Sequence, residues 1–184
     1  MAFDNPGTGE CPVTLDENAD EVIRGIASYA RSIGDRRVAH FGMSFGGNFS
    51  AMPGLAGIAD CAVDLRGPVM DSFAPEHAAD LLSGEHDILG NAMHHDKSPT
   101  LEELSRGLQK LSRHDLLAPR RGSSMLVINS ADDYFVPQSD TLVFDGRPET
   151  EVRLIPGTGH GAMSKAAQVV QVVIGWLWNQ FKLP

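Results

Sequence analysis

The chain has 184 residues, of which 42% are hydrophobic, and it carries a formal net charge of −9. This length and apolar content suffice to bury one sizeable core, so we expect a single domain. The negative charge disfavours a nucleic-acid partner, and the 15 lysines and arginines are scattered along the chain. No apolar run approaches the roughly 20 residues that a membrane-spanning helix needs, so no membrane partner is expected.

The cysteines and the N-terminal residues bear on the cellular location. Cys11 and Cys61 are too few for a disulfide framework, and the first residues show neither the basic stretch nor the apolar run of a secretory leader. A cysteine nucleophile would need a nearby histidine, which the sequence does not indicate, so both thiols are interpreted as structural. We therefore predict a cytoplasmic location.

Apolar stretches bounded by glycine and proline predict strands that alternate with helices. Residues 1–3 are interpreted as the end of a strand that runs into a Pro/Gly turn, and a helix follows up to residue 33. Further strands are predicted at 37–41, 60–65, 125–129 and 151–155, with a last helix at 162–181. The alternation predicts an α/β fold with a mostly parallel sheet covered by helices on both faces.

Residues 69–121 differ in character from the rest of the chain. They carry polar clusters and five of the seven histidines, and Ser98 followed by Pro99 predicts a helix start. We interpret 69–121 as an inserted helical cap, and residues 1–68 together with 122–184 as the core of the fold.

The stretch from Gly42 to Gly47 contains Ser44 between two glycines, each two residues away. A strand is predicted before it and a helix after it. In that context a Gly-x-Ser-x-Gly sequence predicts a strained turn that exposes a nucleophilic hydroxyl. A glycine-rich chain can contain the motif by chance, so an ordinary strand-to-helix turn is the alternative and the partners of the serine decide.

A serine becomes nucleophilic when a histidine takes its proton and a carboxylate orients that histidine. Asp132 and Asp133 follow the strand predicted at 125–129, and His160 lies in a glycine-rich loop after the next strand. The carboxyl ends of parallel strands lie at one edge of a sheet, so these side chains are expected near Ser44. The order serine, acid, histidine is that of α/β-hydrolases.

These motifs resemble the α/β-hydrolase superfamily over nearly the whole chain. Asp133 lies four residues before Pro137, and His160 precedes the final helix, as in that superfamily. Residues 3–10 resemble its strand-four turn. The stretch 65–69, which leads into a helical cap, resembles the group that includes the fermentation-respiration switch protein, pseudooxynicotine hydrolase and fungal hydrolases that shorten polyketides.

The resemblance implies a role for each motif residue. Ser44 would be the nucleophile, His160 the general base and then acid, and Asp133 the orienting carboxylate, with Asp132 as the alternative acid. The backbone N–H of Phe45 would be one oxyanion donor. The implied activity is hydrolysis of an ester or a ketone-activated C–C bond of a medium-sized metabolite through an acyl-enzyme, with neither cofactor nor metal.

In the family, the second oxyanion donor comes from a loop after strand three, which would lie upstream of residue 1. We therefore expect an N-terminally truncated fold, derived from a longer hydrolase. The strand at 38–41 would then be a sheet edge, open to a second copy or to a missing N-terminal segment. Alternative functions are acyl transfer on the same triad and a non-catalytic, degenerate module that associates through this edge.

Two further residues are candidates for binding. Arg66, at a strand's carboxyl end, is expected either to hold a substrate carboxylate or to pair with Asp71, and Met43 is a candidate substrate contact. His40 is interpreted as a hydrogen-bonded core histidine. The histidines and acids at 85–87 and 94–96 match no metal-ligand spacing, so a solvated cap loop is the preferred interpretation.

Overall fold

The computed structural model describes residues 1–34, 37–81 and 83–182. Within them, four parallel strands form a sheet in the order β1-β2-β3-β4. The strands are β1 (Ala39–Met43), β2 (Cys61–Leu65), β3 (Ser124–Ser130) and β4 (Thr150–Ile155). Each strand pairs in parallel with the next one along the chain, so the predicted α/β class and parallel sheet are confirmed.

The predicted strand at residues 1–3 is wrong. These residues form no strand, and the described sheet begins at β1. An extended segment becomes a strand only when a neighbour supplies a hydrogen-bonding ladder, and here the described chain supplies none. Instead, the ring of Phe3 packs edge-on against the ring of His40 in β1, with centroids 5.7 Å apart.

Eight helices of the described chain surround the sheet. They are α1 (Ala19–Ile33), α2 (Phe45–Leu55), α3 (Pro75–Asp80), α4 (Ser83–Ala92), α5 (Leu101–Gln109), α6 (His114–Leu117), α7 (Gln138–Leu142) and α8 (Ala166–Phe181). Two 3₁₀ turns lie at Asp71–Phe73 and His160–Lys165. No helix in the described part of the chain is long and apolar enough to cross a membrane.

Strand β2 is buried along its whole length because helices cover both faces of the sheet. On one face, Val63 packs in a cluster with Val173 of α8. On the other, Ala62 packs in a cluster with Leu55 of α2. A strand buried on both sides is mostly apolar rather than alternating, and β2 is apolar except for Asp64, which is why it was predictable from sequence.

Helix α5 begins later than the sequence predicts. Its N-cap is Thr100, which forms a capping box with Glu103, whereas Ser98 donates to Asp87 at 2.8 Å. A capping box needs an acidic or amide side chain three residues after the cap. Glu103 meets this requirement for Thr100, while the residue at that distance from Ser98 is Leu101.

Along the chain, helices α3 to α6 come after β2 and before β3, and these two strands are neighbours in the sheet. Leu104 and Leu108 of α5 are buried in the same apolar cluster as Ile23 of α1 and Phe49 of α2. The segment 69–121 therefore packs directly on the helices beside the sheet. Its division from the core as a separate cap stays a prediction.

The start of that segment is fixed by the buried side chain of Asp140 in α7. Its carboxylate oxygens accept the backbone N–H groups of four consecutive residues, at 2.8, 3.2, 2.6 and 3.2 Å: Val69, Met70, Asp71 and Ser72. Hydrogen bonds to an ionised acceptor are the stronger kind, so one carboxylate holds the exit from β2 in place.

Candidate active site

Ser44 lies between the last residue of β1 and the first residue of α2, with φ of 54° and ψ of −130°. A residue other than glycine in this region is strained, and such strain concentrates at functional sites. The neighbouring glycines allow the sharp turn. A Cβ on Gly42 would lie 1.8 Å from the carbonyl oxygen of Gly46, and one on Gly47 would lie 2.3 Å from Asp64 Oδ1.

The three residues predicted as a triad lie in one hydrogen-bonded chain. Ser44 Oγ is 2.9 Å from His160 Nε2. His160 Nδ1 is 3.0 Å from both carboxylate oxygens of Asp133. With Nδ1–H donating to the carboxylate, Nε2 is free to accept the serine proton, which is the arrangement that a nucleophilic serine requires.

Asp133 is ionised in this arrangement. Burial raises its pKa, but the hydrogen bond from His160 and the backbone N–H groups of Val136 and Phe135 outweigh burial and hold it below its ordinary value. The Asp133 side chain is fully buried, whereas His160 is 25% exposed toward the site. A buried carboxylate on Nδ1 favours the tautomer with a free Nε2 and stabilises the imidazolium that forms during catalysis.

Asp132, the alternative acid, faces the loop before the histidine. Its Oδ1 accepts the backbone N–H groups of Thr158 at 3.1 Å and Gly159 at 3.4 Å, and it also accepts the hydroxyl of Ser130. These bonds hold the pKa of Asp132 below its ordinary value. Asp133 is therefore the aspartate that is hydrogen-bonded to His160, and Asp132 anchors the loop that carries His160.

The backbone N–H of Phe45 is the first of helix α2. The N–H groups of a helix's first turn have no acceptor within the helix and carry its positive dipole end. Phe45 follows Ser44 directly and lines the same cavity as Ser44 and His160. The role of this N–H as an oxyanion donor stays a prediction.

The cavity beside Ser44 has a volume of about 420 Å³. Most of its lining is apolar and comes from the residues before α1, from α2, from the stretch between β2 and α5, from α5 itself and from the loop after β3: Pro6, Leu15, Phe45, Pro68, Phe73, Leu81, Ile88, Leu89, Ala92, Leu108, Phe135 and Val136. Polar side chains that line it besides Ser44 and His160 are Asn5, Thr8, Ser72 and Glu85. Ser72 Oγ is buried and has no hydrogen-bond partner among the described residues.

Arg66 and Met43 do not join the lining of this cavity. Arg66 is 1% exposed, and none of its side-chain nitrogens has a hydrogen-bond partner in the described chain, so the alternative pairing with Asp71 is not formed. Burial lowers the pKa of its guanidinium, while the charge of Asp133 opposes that shift. Met43 is 53% exposed on β1. A substrate contact by either residue stays a prediction.

The structure also shows the surroundings of two further histidines, His40 and His94. His40 is buried, but neither ring nitrogen has a partner among the described residues, so the expected hydrogen bond is wrong. Burial lowers the pKa of His40 to about 4, which leaves it neutral. His94 Nδ1 lies 2.9 Å from Thr14 Oγ1. In the part of the chain that the structure describes, no group of three or more potential ligands is placed to hold a metal.

No protein-family model and no curated protein matches the sequence. Among solved structures, 2,6-dihydroxy-pseudo-oxynicotine hydrolase is similar to 97% of this chain, with a TM-score of 0.82 and 15% sequence identity. The chain has the α/β-hydrolase fold. This chain covers a larger share of two further similar structures. They are a thermophilic esterase (TM-score 0.61, 14% identity, 97% of this chain and 80% of the esterase) and a meta-cleavage product hydrolase from Pseudomonas fluorescens (TM-score 0.64, 14% identity, 96% and 78%).

The α/β-hydrolase resemblance predicted from the motifs is thus confirmed for the fold. The chain spans about half the length of the pseudo-oxynicotine hydrolase, 51% of it. The expectation that a longer hydrolase includes this chain stays a prediction, and so do the activity, substrates and partners of the whole protein.

Proposed function

We propose that this chain is a serine hydrolase with Ser44 as nucleophile, acting on an ester or a ketone-activated C–C bond through an acyl-enzyme. The observation that carries the proposal is the hydrogen-bonded chain from Ser44 Oγ through His160 to the buried carboxylate of Asp133. The esterase and the C–C bond hydrolase among the similar structures support the same reaction class.

For an ester, Ser44 Oγ attacks the carbonyl carbon while its proton passes to His160 Nε2, and the carbonyl electrons move onto oxygen. The Phe45 N–H donates to this oxyanion. When the oxyanion collapses, the bond to the alkoxide breaks and His160 gives that alkoxide its proton. Water then attacks the acyl-enzyme, loses a proton to His160 and releases the acid, and Ser44 regains its proton.

For a ketone-activated C–C bond, the first step is the same. Collapse of the oxyanion breaks the bond between the acyl carbon and the carbon beside the ketone, and the electron pair leaves as an enolate. Proton transfer from His160 Nε2 then gives the neutral ketone. Because only the leaving group differs, one triad serves both reactions.

The cavity supports a proposal on the substrate class. A volume of about 420 Å³ and a lining that is mostly aliphatic and aromatic fit a medium-sized, largely apolar acyl or alcohol portion. The rings of Phe45 and Phe73, 6.1 Å apart, and the ring of Phe135 next to His160 favour a substrate with an aromatic or flat group.

A fluorophosphonate probe tests the nucleophile. We expect one covalent label on Ser44, found by peptide mass spectrometry, that is lost in Ser44→Ala and slowed at least about 1,000-fold in His160→Ala. Ser28→Ala, an exposed serine on α1, is the matched control and should label like the wild-type chain. A folded wild-type chain that the probe does not label would contradict the proposal.

A substrate panel then separates the two reactions. Aryl esters of increasing acyl length and a series of 1,3-diketones would be offered to the wild-type and Ser44→Ala chains. Release of an acid together with an alcohol identifies ester cleavage, and release of an acid together with a ketone identifies C–C cleavage. Turnover that persists in Ser44→Ala would exclude the acyl-enzyme mechanism.

A further inference from the structure

One part of the cavity wall comes from the residues that follow β2. Pro68, Ser72 and Phe73 all line the cavity. The ring of Phe73 lies with its centroid 6.1 Å from that of Phe45, the residue after the proposed nucleophile. An apolar group held on Ser44 would therefore pack against this part of the wall, where aromatic rings offer a large contact area.

The backbone of this wall is bound by a side chain from another element. Asp140 Oδ2 accepts the N–H groups of Val69 at 2.8 Å and Ser72 at 3.2 Å, and Oδ1 accepts those of Asp71 at 2.6 Å and Met70 at 3.2 Å. Consecutive N–H groups that point to one spot form a concave anion-binding site, which a carboxylate of the chain itself fills here. Asp140 is 1% exposed, so its loss would leave buried donors without an acceptor.

The start of the wall has other anchors, but the turn that carries Phe73 depends on Asp140. Asn48 Nδ2 donates to the carbonyl of Pro68 at 2.8 Å, and the N–H of Arg113 donates to the carbonyl of Val69 at 2.7 Å. The N–H of Phe73 donates to the carbonyl of Met70 at 3.0 Å, a bond within the turn itself. Among the described residues, Asp140 is the side chain whose hydrogen bonds tie residues 70–73 to another element.

Asp140 also connects this wall to the loop of the proposed triad acid. It lies on α7, which begins directly after that loop. The loop carries Asp133, which contacts His160, and Phe135 and Val136, which line the cavity. One carboxylate therefore joins two parts of the cavity wall that come from different stretches of the chain.

We infer that Asp140 is a positioning residue that sets the acyl selectivity of this cavity. The inference rests on the proposed serine hydrolase function. Asp140 does not line the cavity itself, so it acts through the turn whose backbone it binds and through the ring of Phe73. A large acyl group depends on the position of that ring, whereas an acetyl group is too short to use it.

Two esters with the same leaving group test the inference, p-nitrophenyl acetate and p-nitrophenyl phenylacetate. We expect the ratio of kcat/KM, phenylacetate over acetate, to fall at least about 10-fold in Asp140→Asn and in Asp140→Ala, mainly through KM of the larger ester. Asp145→Ala, an exposed aspartate just after α7, is the matched control and should keep the ratio within about twofold. A general loss of folded enzyme lowers both activities equally and leaves the ratio unchanged.

Chemical rescue identifies the carboxylate as the acting group. Asp140→Ala leaves space for a formate ion at the four N–H groups, so excess formate should restore the ratio at least about fivefold, while the same concentration of chloride should not. Asp140→Asn keeps the volume of the side chain and leaves no such space, so formate should not restore its ratio. Formate should also leave the wild-type ratio unchanged.

Phe73→Ala tests the same wall without touching Asp140. This variant should lower the ratio by itself, and adding Asp140→Asn to it should change the ratio by less than about threefold, because the ring through which Asp140 acts is already gone. This measurement keeps the inference testable if Asp140→Ala does not fold, which circular dichroism and thermal unfolding would show.

The outcomes separate this inference from the proposed function. If Ser44 is labelled by fluorophosphonate but Asp140→Asn keeps the wild-type ratio, or Phe73→Ala keeps it, the inference is overturned and the hydrolase function stands. Independent losses from Asp140→Asn and Phe73→Ala also overturn it, and so does a folded Asp140→Ala chain that formate does not rescue. If fluorophosphonate does not label folded wild-type chain, the proposed function fails first and the inference fails with it.

Discussion

Asp132 accepts a hydrogen bond from the backbone N–H of Thr158 at 3.1 Å, two residues before the proposed general base. Its neighbour Asp133 bonds to His160 directly. The two adjacent aspartates therefore have different contacts: Asp133 orients the imidazole, and Asp132 holds the loop that carries it.

This division predicts different losses for two matched variants. Asp133→Ala should lower kcat by about 1,000- to 10,000-fold, because His160 loses the group that fixes its tautomer and its positive charge. Asp132→Ala should lower kcat by about 10- to 100-fold, because His160 is displaced but keeps its partner. Steady-state kinetics on one ester measures both. Equal losses in the two variants would show that Asp132 shares the role of triad acid.

The glycines provide a prediction on stability. Gly42→Ala places a methyl group 1.8 Å from the carbonyl oxygen of Gly46, so the turn at Ser44 must open. We expect a loss of about 1–3 kcal/mol or more in the free energy of unfolding, together with loss of fluorophosphonate labelling. Urea denaturation measures the first effect.

Gly25→Ala is the matched control for that variant. Gly25 lies inside α1, and a Cβ there would meet nothing within 4 Å. Alanine in an open helix interior should stabilise the chain by about 0.5–1 kcal/mol. A Gly42→Ala chain as stable and as reactive as Gly25→Ala would contradict the tight turn.

Asp64 predicts a pH dependence of stability. Burial raises its pKa to about 7. The hydrogen bond from the Gly67 N–H lowers the pKa, and the charge of Asp140 raises it further. This folded-state pKa lies above the ordinary value of about 4. Between about pH 4 and pH 7 the folded chain therefore binds more protons than the unfolded chain. The contribution of Asp64 to stability is therefore full below about pH 4 and is lost as pH rises to about 7.

Asp64→Asn removes this titration and keeps an oxygen for the Gly67 N–H, which donates to Asp64 Oδ1 at 2.6 Å. Stability relative to wild type should therefore rise between about pH 4 and pH 8. Taking the difference between the two chains at each pH cancels the contribution of other groups, His40 among them. A difference that stays constant across this range would show that Asp64 ionises normally.

Strand β1 is the outer strand of the described sheet, and it exposes Phe41 by 51% and Met43 by 53%. An unpaired edge with apolar side chains favours pairing with a second copy of the chain. We expect concentration-dependent dimerisation in sedimentation velocity, which Phe41→Lys abolishes and Tyr29→Lys, on the exposed side of α1, does not. Sedimentation as a monomer at every concentration would exclude this pairing.

The proximity of Ser44, Asp133 and His160 could be predicted from sequence because the signals for it are local. Ser44 lies in a glycine turn, and Asp133 and His160 each follow a short apolar strand. Parallel strands place all three turns at the same edge, so order along the chain translates into proximity. Strand boundaries were predicted within about two residues for the same reason, since apolar runs and glycines mark them.

The contacts that sequence could not predict depend on tertiary packing. Asn5 reaches the site only because its turn packs on α4, and Asp140 clamps residues 69–72, about 70 positions earlier in the chain. The predicted first strand failed because strand formation needs a neighbour, and no local pattern reports one. A conserved spacing between a strand end and an aspartate such as Asp140 would be the signal to seek.

The consecutive strand order has a consequence for how the protein is made. Each strand pairs with the one that precedes it along the chain, so the sheet can grow from β1 to β4 as the ribosome releases it. Ser44 emerges early and its turn is complete once α2 forms, but His160 follows β4. The proposed nucleophile therefore lacks its histidine partner until the segment that follows β4 has been made.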